Sequence, residues 1–196
     1  MILAFLAVFS GLSLNLLLHF AIGAAGAAGD RPGRGKVLLP AIQMGILFLS
    51  VLFLWALFNY LLPSLLGASL EYFLFFPLSA LACLGLEKGV FRLFPKAAGR
   101  DKPFSASTAY DGLASLALFI TYKLALGFAE ALVLSFFFAL GNLAALLILE
   151  EIRRRSLLEW TPRSLRGSPL ILISMGLLSL IFSVAAGICF TVLSKF

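Results

Sequence analysis

Two stretches of this chain, Ala131 to Leu149 and Gly167 to Ser194, carry no charged side chain. Each is long enough to cross a bilayer as a helix, because a hydrocarbon core of about 30 Å takes about 20 apolar residues. Three further runs follow the same pattern. Met1 to Gly29 is uncharged apart from neutral His19, and Val37 to Leu70 is wholly uncharged, with room for a helix and the loop after it. Tyr72 to Leu86 continues through Gly89 to Leu93, with Glu87, Lys88 and Arg92 near enough to an end to snorkel towards headgroups. Composition closes the alternative of a water-soluble globule: 62% of the 196 residues are apolar and 12% charged, against about 25% charged in soluble domains. An integral membrane protein built of helices is the expectation.

The fourth crossing is the weak one, since its candidate, Phe104 to Tyr122, contains Asp111 and is followed at once by Lys123. Loop charge decides it, because Lys and Arg in short loops mark the cytoplasmic side. Arg31, Arg34 and Lys36 follow span one. Lys88, Arg92, Lys96, Arg100 and Lys102 follow span three, and Arg153, Arg154, Arg155, Arg163 and Arg166 follow span five; only Lys123 and Lys195 fall elsewhere. These clusters share a face only if span four crosses, which predicts six helices with both termini outside. The same clustering accounts for the net charge of +6, so no nucleic-acid partner is implied. The Ala-Ala-Gly-Ala-Ala-Gly run from Ala24 has the small residues of a signal-peptide cleavage site, but no basic segment precedes the apolar run and positive charge follows it. An uncleaved first helix is expected.

Spans one to three and four to six flank a linker from Pro95 to Pro103, so two halves are predicted, residues 1–98 and 99–196. Three helices per half invert the second relative to the first, and inverted repeats place their sites at the midplane on interrupted helices. Gly23, Gly26 and Gly29 weaken span one where it should finish. Two readings stand there: a helix break facing a ligand or ion, and a small-residue surface for close packing. Polar side chains inside the spans are Asn15, His19, Gln43, Asn59, Glu71, Asp111, Lys123, Glu130 and Asn142. Asp111 stands out, as a cation contact, as a partner of His19 or as an interfacial residue. Glu71, Lys123 and Glu130 lie nearer predicted helix ends, where snorkelling or surface pairing is the simpler role. Cys83 and Cys189 sit in apolar stretches as packing residues, with no metal-ligand spacing. Gly-x-Gly-x-x-Gly, Gly-Lys-Ser and His-Glu-x-x-His patterns are absent, and the basic segment Asp30 to Lys36 is a solvated connection.

Nearly end to end, the chain resembles the small six-helix membrane subunits of the Rnf and Nqr complexes, bacterial ion-translocating electron-transport machines. Asn15 through Gly29 is similar to the family's Asn-Phe-Val-Leu-x-x-Phe-Leu-Gly-x-Cys-Pro-Phe-x-Gly segment, and Glu87 to Arg92 parallels an acidic-to-basic turn after the third helix. Leu149-Glu-Glu-Ile-Arg-Arg-Arg155, Arg163-Ser-Leu-Arg-Gly-Ser-Pro169 and Leu170-Ile-Leu-Ile-Ser-Met-Gly-Leu-Leu-Ser-Leu180 resemble the fifth-helix exit, the Phe-Arg-Gly loop and the sixth helix. The topology is similar to the Rnf A and Nqr E type. The resemblance implies a bacterial cytoplasmic (inner) membrane, sister membrane subunits as partners, sodium or protons as cargo, and no catalysis by this subunit alone. Its members hold a 2Fe-2S cluster through one cysteine on the first helix and one on the fourth. Here those places read Ala25 and Gly112, which offer no side-chain ligand. The expectation is therefore a subunit without the cluster, acting as scaffold or ion route through Asp111, His19 and the glycine break. The alternative is a stand-alone inverted-repeat transporter or channel on the same residues.

Overall fold

The computed structural model describes residues 2–15, 18, 38–61, 70–93, 112–158 and 168–193. Within them the chain is all-helical, with six helices: α1 (Ile2–Val8), α2 (Leu38–Ala56), α3 (Leu70–Leu93), α4 (Leu113–Leu124), α5 (Phe128–Leu158) and α6 (Ser168–Leu193). Four are long and apolar enough to cross a membrane, over Ala41–Tyr60, Phe73–Val90, Phe128–Ile152 and Pro169–Leu193. These fall on predicted spans two, three, five and six.

The other two helices are short. α4 has 12 residues, which at the helical rise is about 18 Å, well under a hydrocarbon thickness. It opens on Gly112, whose backbone is left-handed (φ 73°, ψ 1°), a conformation only glycine adopts without strain. α1 passes into a wider π-type turn over Phe9–Ser13 and stops at Leu14 (φ −112°, ψ 43°), whose N–H donates to Phe9 O at 2.7 Å. The sequence places span four over Phe104 to Tyr122; α4 begins at Leu113, after the left-handed Gly112, and residues 104–111 lie outside the described residues. Span one breaks at Leu14–Asn15, ahead of the glycine run, and that run lies outside the described residues.

The packing alternates between the halves. α1 and its π-type turn pack on α5 and α6, whereas α4 packs on α2, α3 and α5. α2 and α5 form the central pair. The core follows from this: Met44, Leu47, Val51 and Leu54 of α2, and Phe58 of the π-type turn that continues it over Leu57–Leu61, meet Leu113, Ala117 and Leu118 of α4 and Leu134, Phe138 and Ala145 of α5. The outward faces of α3 and α6 expose large apolar side chains, among them Phe73, Phe76 and Leu81, and Leu172, Leu177 and Leu180. That is far more contiguous apolar surface than a monomer in water presents. At its far end α5 leaves the apolar stretch, and Glu151 accepts from Arg155 (3.0 Å) and Arg154 (3.2 Å) in an exposed cluster.

Candidate functional site

Halfway along the apolar stretch of α5 two backbones touch. A Cβ added at Gly141 would collide with Gly11 O and lie 3.0 Å from Gly11 C and Cα. Only glycine at position 141 allows that approach, in the manner of small-residue contacts between membrane helices, whereas a Cβ at Gly11 would meet Phe137 at 3.4 Å or more. Asn15 locks the crossing: its Nδ2 donates to Gly141 O at 2.8 Å, while its Oδ1 accepts from Leu18 N–H at 3.2 Å. The second bond is the geometry of a helix N-cap. One buried amide thus follows the break after α1, holds the N–H of Leu18 and ties this point of the chain to α5. Asn142, the next residue of α5, is buried beside this crossing.

The second interruption lies at the same depth. α4 is joined to α5 by Ala125, Leu126 and Gly127, and Glu130 Oε2 accepts from Leu126 N–H at 2.8 Å to close the turn. Counting back about 18 Å from that turn brings Gly112 close to the level of Gly141. The first N–H groups of α4 have no partner within their own helix, and α4 packs over the groove between α2 and α3.

Polar side chains line that groove. The register of α2 against α3 is set by Phe58 facing Phe75, with ring centroids 4.7 Å apart, and by Ser50 Oγ lying 3.3 Å from Cys83 Sγ. Continuing it places Glu87 level with Ile46, and Gln43 about one turn further. Both lie beyond the start of α4. Glu87 is 6% exposed and Gln43 5%. Glu87 Oε1 and both polar atoms of Gln43 are buried without a hydrogen-bond partner among the described residues. Such groups are rare in proteins and mark either a cost or a use. A carboxylate with one unpaired buried oxygen, and a neutral amide about one turn away, supplies oxygen acceptors for a proton or a small cation.

The buried carboxylate corrects the sequence reading of Glu87 as a snorkelling residue; Lys88 and Arg92 do lie exposed. The missed signal is a four-residue period. Phe75, Ser79, Cys83 and Glu87 form one buried line on α3, with Lys88 off that line. Of the residues singled out from the sequence, Asp111, His19, Gly23, Gly26, Gly29 and Ala25 lie outside the described residues, while Gly112 sits at the start of α4. Asn15, Gln43 and Asn142 are in the bundle interior, and Lys123 is exposed near the α4–α5 turn. Among the described residues no three His, Cys, Asp or Glu side chains are grouped as metal ligands. The chain matches no protein-family model and no curated protein.

Proposed function

We propose that this chain is a six-helix integral membrane subunit of an Rnf/Nqr-like ion-translocating electron-transport complex, serving as scaffold and ion route. In this reading it lies in a bacterial cytoplasmic membrane with both termini outside, packs against sister membrane subunits, and moves sodium or protons without catalysing a reaction itself. One observation carries it: a buried carboxylate with an unpaired oxygen, Glu87, lies just beyond the start of a half-length helix in the middle of the bundle. Ionisable groups within membrane helices are rare and costly, and those that face the bundle interior mark ion pathways.

The packing supports the inverted repeat of residues 1–98 and 99–196. Exchanging α1 with α4, α2 with α5 and α3 with α6 turns the α1 contacts with α5 and α6 into the α4 contacts with α2 and α3, and leaves the central α2–α5 pair unchanged. Interruptions at Leu14–Asn15 and Gly112, both close to the level of Gly141, are what such a repeat places around a midplane site. Asp111 and His19 adjoin these positions in sequence and belong to the proposed route, as do Gly23, Gly26 and Gly29.

The 2Fe-2S cluster of the resembled family does not fit the residues here. Ala25 and Gly112 carry no thiolate, and a cysteine at Gly112 would be strained by its positive φ. Cys83 faces Ser50 between α2 and α3, and Cys189 lies on α6, which packs on α1 and α5. No electron-transfer step is assigned to this chain.

The test is affinity purification of the tagged protein in mild detergent. Recovery with membrane and redox subunits of one complex is the expected outcome; recovery without any redox subunit overturns the assignment. The missing thiolates favour a second reading, a stand-alone inverted-repeat transporter or channel. It is distinguished by cation flux through proteoliposomes holding only this protein.

A further inference from the structure

From the side chains in the seam between α2 and α3 we infer that the route runs outward from Glu87 along a file of hydroxyl and thiol groups and is closed at its outer end by three aromatic rings. This rests on the ion-route reading above and specifies its path. Gln43 and Glu87 form the inner end, both more than nine-tenths buried with unpaired polar atoms. One turn outward on α3 from Glu87 is Cys83, with Ser50 Oγ 3.3 Å from its sulfur. The Ser50 hydroxyl donates to Leu47 O at 2.9 Å, which leaves the thiol to donate to the hydroxyl oxygen. Ser79, a further turn outward, is buried and donates to Phe76 O at 2.9 Å. Each of these groups can accept a bond as well as give one, so together they offer successive partners to a proton or a small dehydrated cation.

Beyond Ser79 the file stops. Phe58, Phe75 and Tyr122 meet edge to face in all three pairings, with centroids 4.7, 5.3 and 6.2 Å apart. Phe75 lies one turn beyond Ser79 on the same line of α3, so this trio caps the seam. An apolar constriction of this kind holds back water and ions until its rings move apart. The trio draws its rings from the π-type turn after α2, from α3 and from α4, and opening it requires Phe58 and Phe75, the closest pair, to part.

Cys83 provides a native reporter, because Cys189→Ser leaves it as the chain's single thiol. The probe is a quaternary-ammonium methanethiosulfonate, applied to the intact complex in membrane vesicles of each orientation. From the Gln43 side Cys83 is expected to react, and Glu87→Gln to slow the reaction at least about tenfold by removing the charge that draws the cation in. From the opposite side no reaction is expected until Phe75→Ala removes a ring, whereupon the rate rises at least about tenfold; Phe58→Leu, which keeps most of the packing, gives a smaller rise in the same direction. Cys83 that reacts only after denaturation in every variant overturns the path, as does a rate that neither Glu87→Gln nor the ring substitutions change. A silent Cys83 alongside ion movement that depends on Glu87 removes this path and leaves the subunit's function standing. A reactive, gated Cys83 in a complex that moves no ion does the reverse.

Discussion

Replacing Gly141 with alanine tests the crossing that sets the depth of the whole site. The added methyl meets backbone atoms of Gly11, with Cα and C at 3.0 Å. Neither helix can yield by rotating a side chain, so α1 must move away from α5. Over-packing of this kind costs about 1–3 kcal/mol. The same movement lengthens the 2.8 Å bond from Asn15 to Gly141 O, and an interhelical bond in a membrane is worth about 0.6–1.7 kcal/mol. Against that total of about 2–4 kcal/mol stands the gain of up to about 1 kcal/mol when glycine in a helix interior becomes alanine. The net loss is therefore about 1–3 kcal/mol. Gly176→Ala supplies the reference, since nothing lies within 4 Å of its added Cβ and only the helical gain remains. Equilibrium unfolding in mixed detergent micelles, followed by far-UV circular dichroism, measures both. The two variants should differ by about 2–4 kcal/mol in opposite directions from wild type. Agreement between them within about 0.5 kcal/mol would refute the close crossing.

Three other outcomes follow from the same geometry. Gly112→Ala forces a methyl-bearing residue into the left-handed region and should cost about 1–2 kcal/mol in that unfolding assay, although the nearest side-chain atom, Ser115 Oγ, is 3.9 Å from the new Cβ. Glu87→Met replaces an unpaired buried carboxylate by an apolar chain of similar length; it should raise stability by about 1–3 kcal/mol while stopping ion movement, and a loss of stability would show the carboxylate to be a structural partner. Arg34→Cys, Arg100→Cys and Arg154→Cys, each made with Cys83→Ser and Cys189→Ser, should all be labelled from one aqueous side by a membrane-impermeant maleimide, and labelling from differing sides contradicts the topology.

The long helices were legible because hydropathy over about 20 residues is a property of one segment; Ala131 to Leu149 and Gly167 to Ser194 needed no partner to declare themselves. The start of α4 was not, because a glycine between Asp111 and Leu113 looks the same in sequence whether it packs or turns. Glu87 was misjudged for a related reason. Distance from the end of an apolar run says how far a side chain must reach, whereas burial depends on which face of α3 meets α2, and only the line through Phe75, Ser79 and Cys83 carries that information. The bond from Asn15 to Gly141 joins residues 126 positions apart, and no local pattern in either segment announces it. What the sequence did supply at the site was residue type: Asn15, Gln43 and Asn142 stand out as polar groups in apolar surroundings, and the bundle buries all three.

Ion movement that depends on Glu87 is the most direct test of the account. Sodium uptake and internal pH are to be followed in energised membrane vesicles containing the complete complex, with wild-type protein, Glu87→Gln and Glu87→Asp compared at equal subunit content. Loss of at least about nine-tenths of the flux in Glu87→Gln, with partial recovery in Glu87→Asp, is the expected result. Wild-type flux in Glu87→Gln contradicts the claim that this buried carboxylate lies on the route.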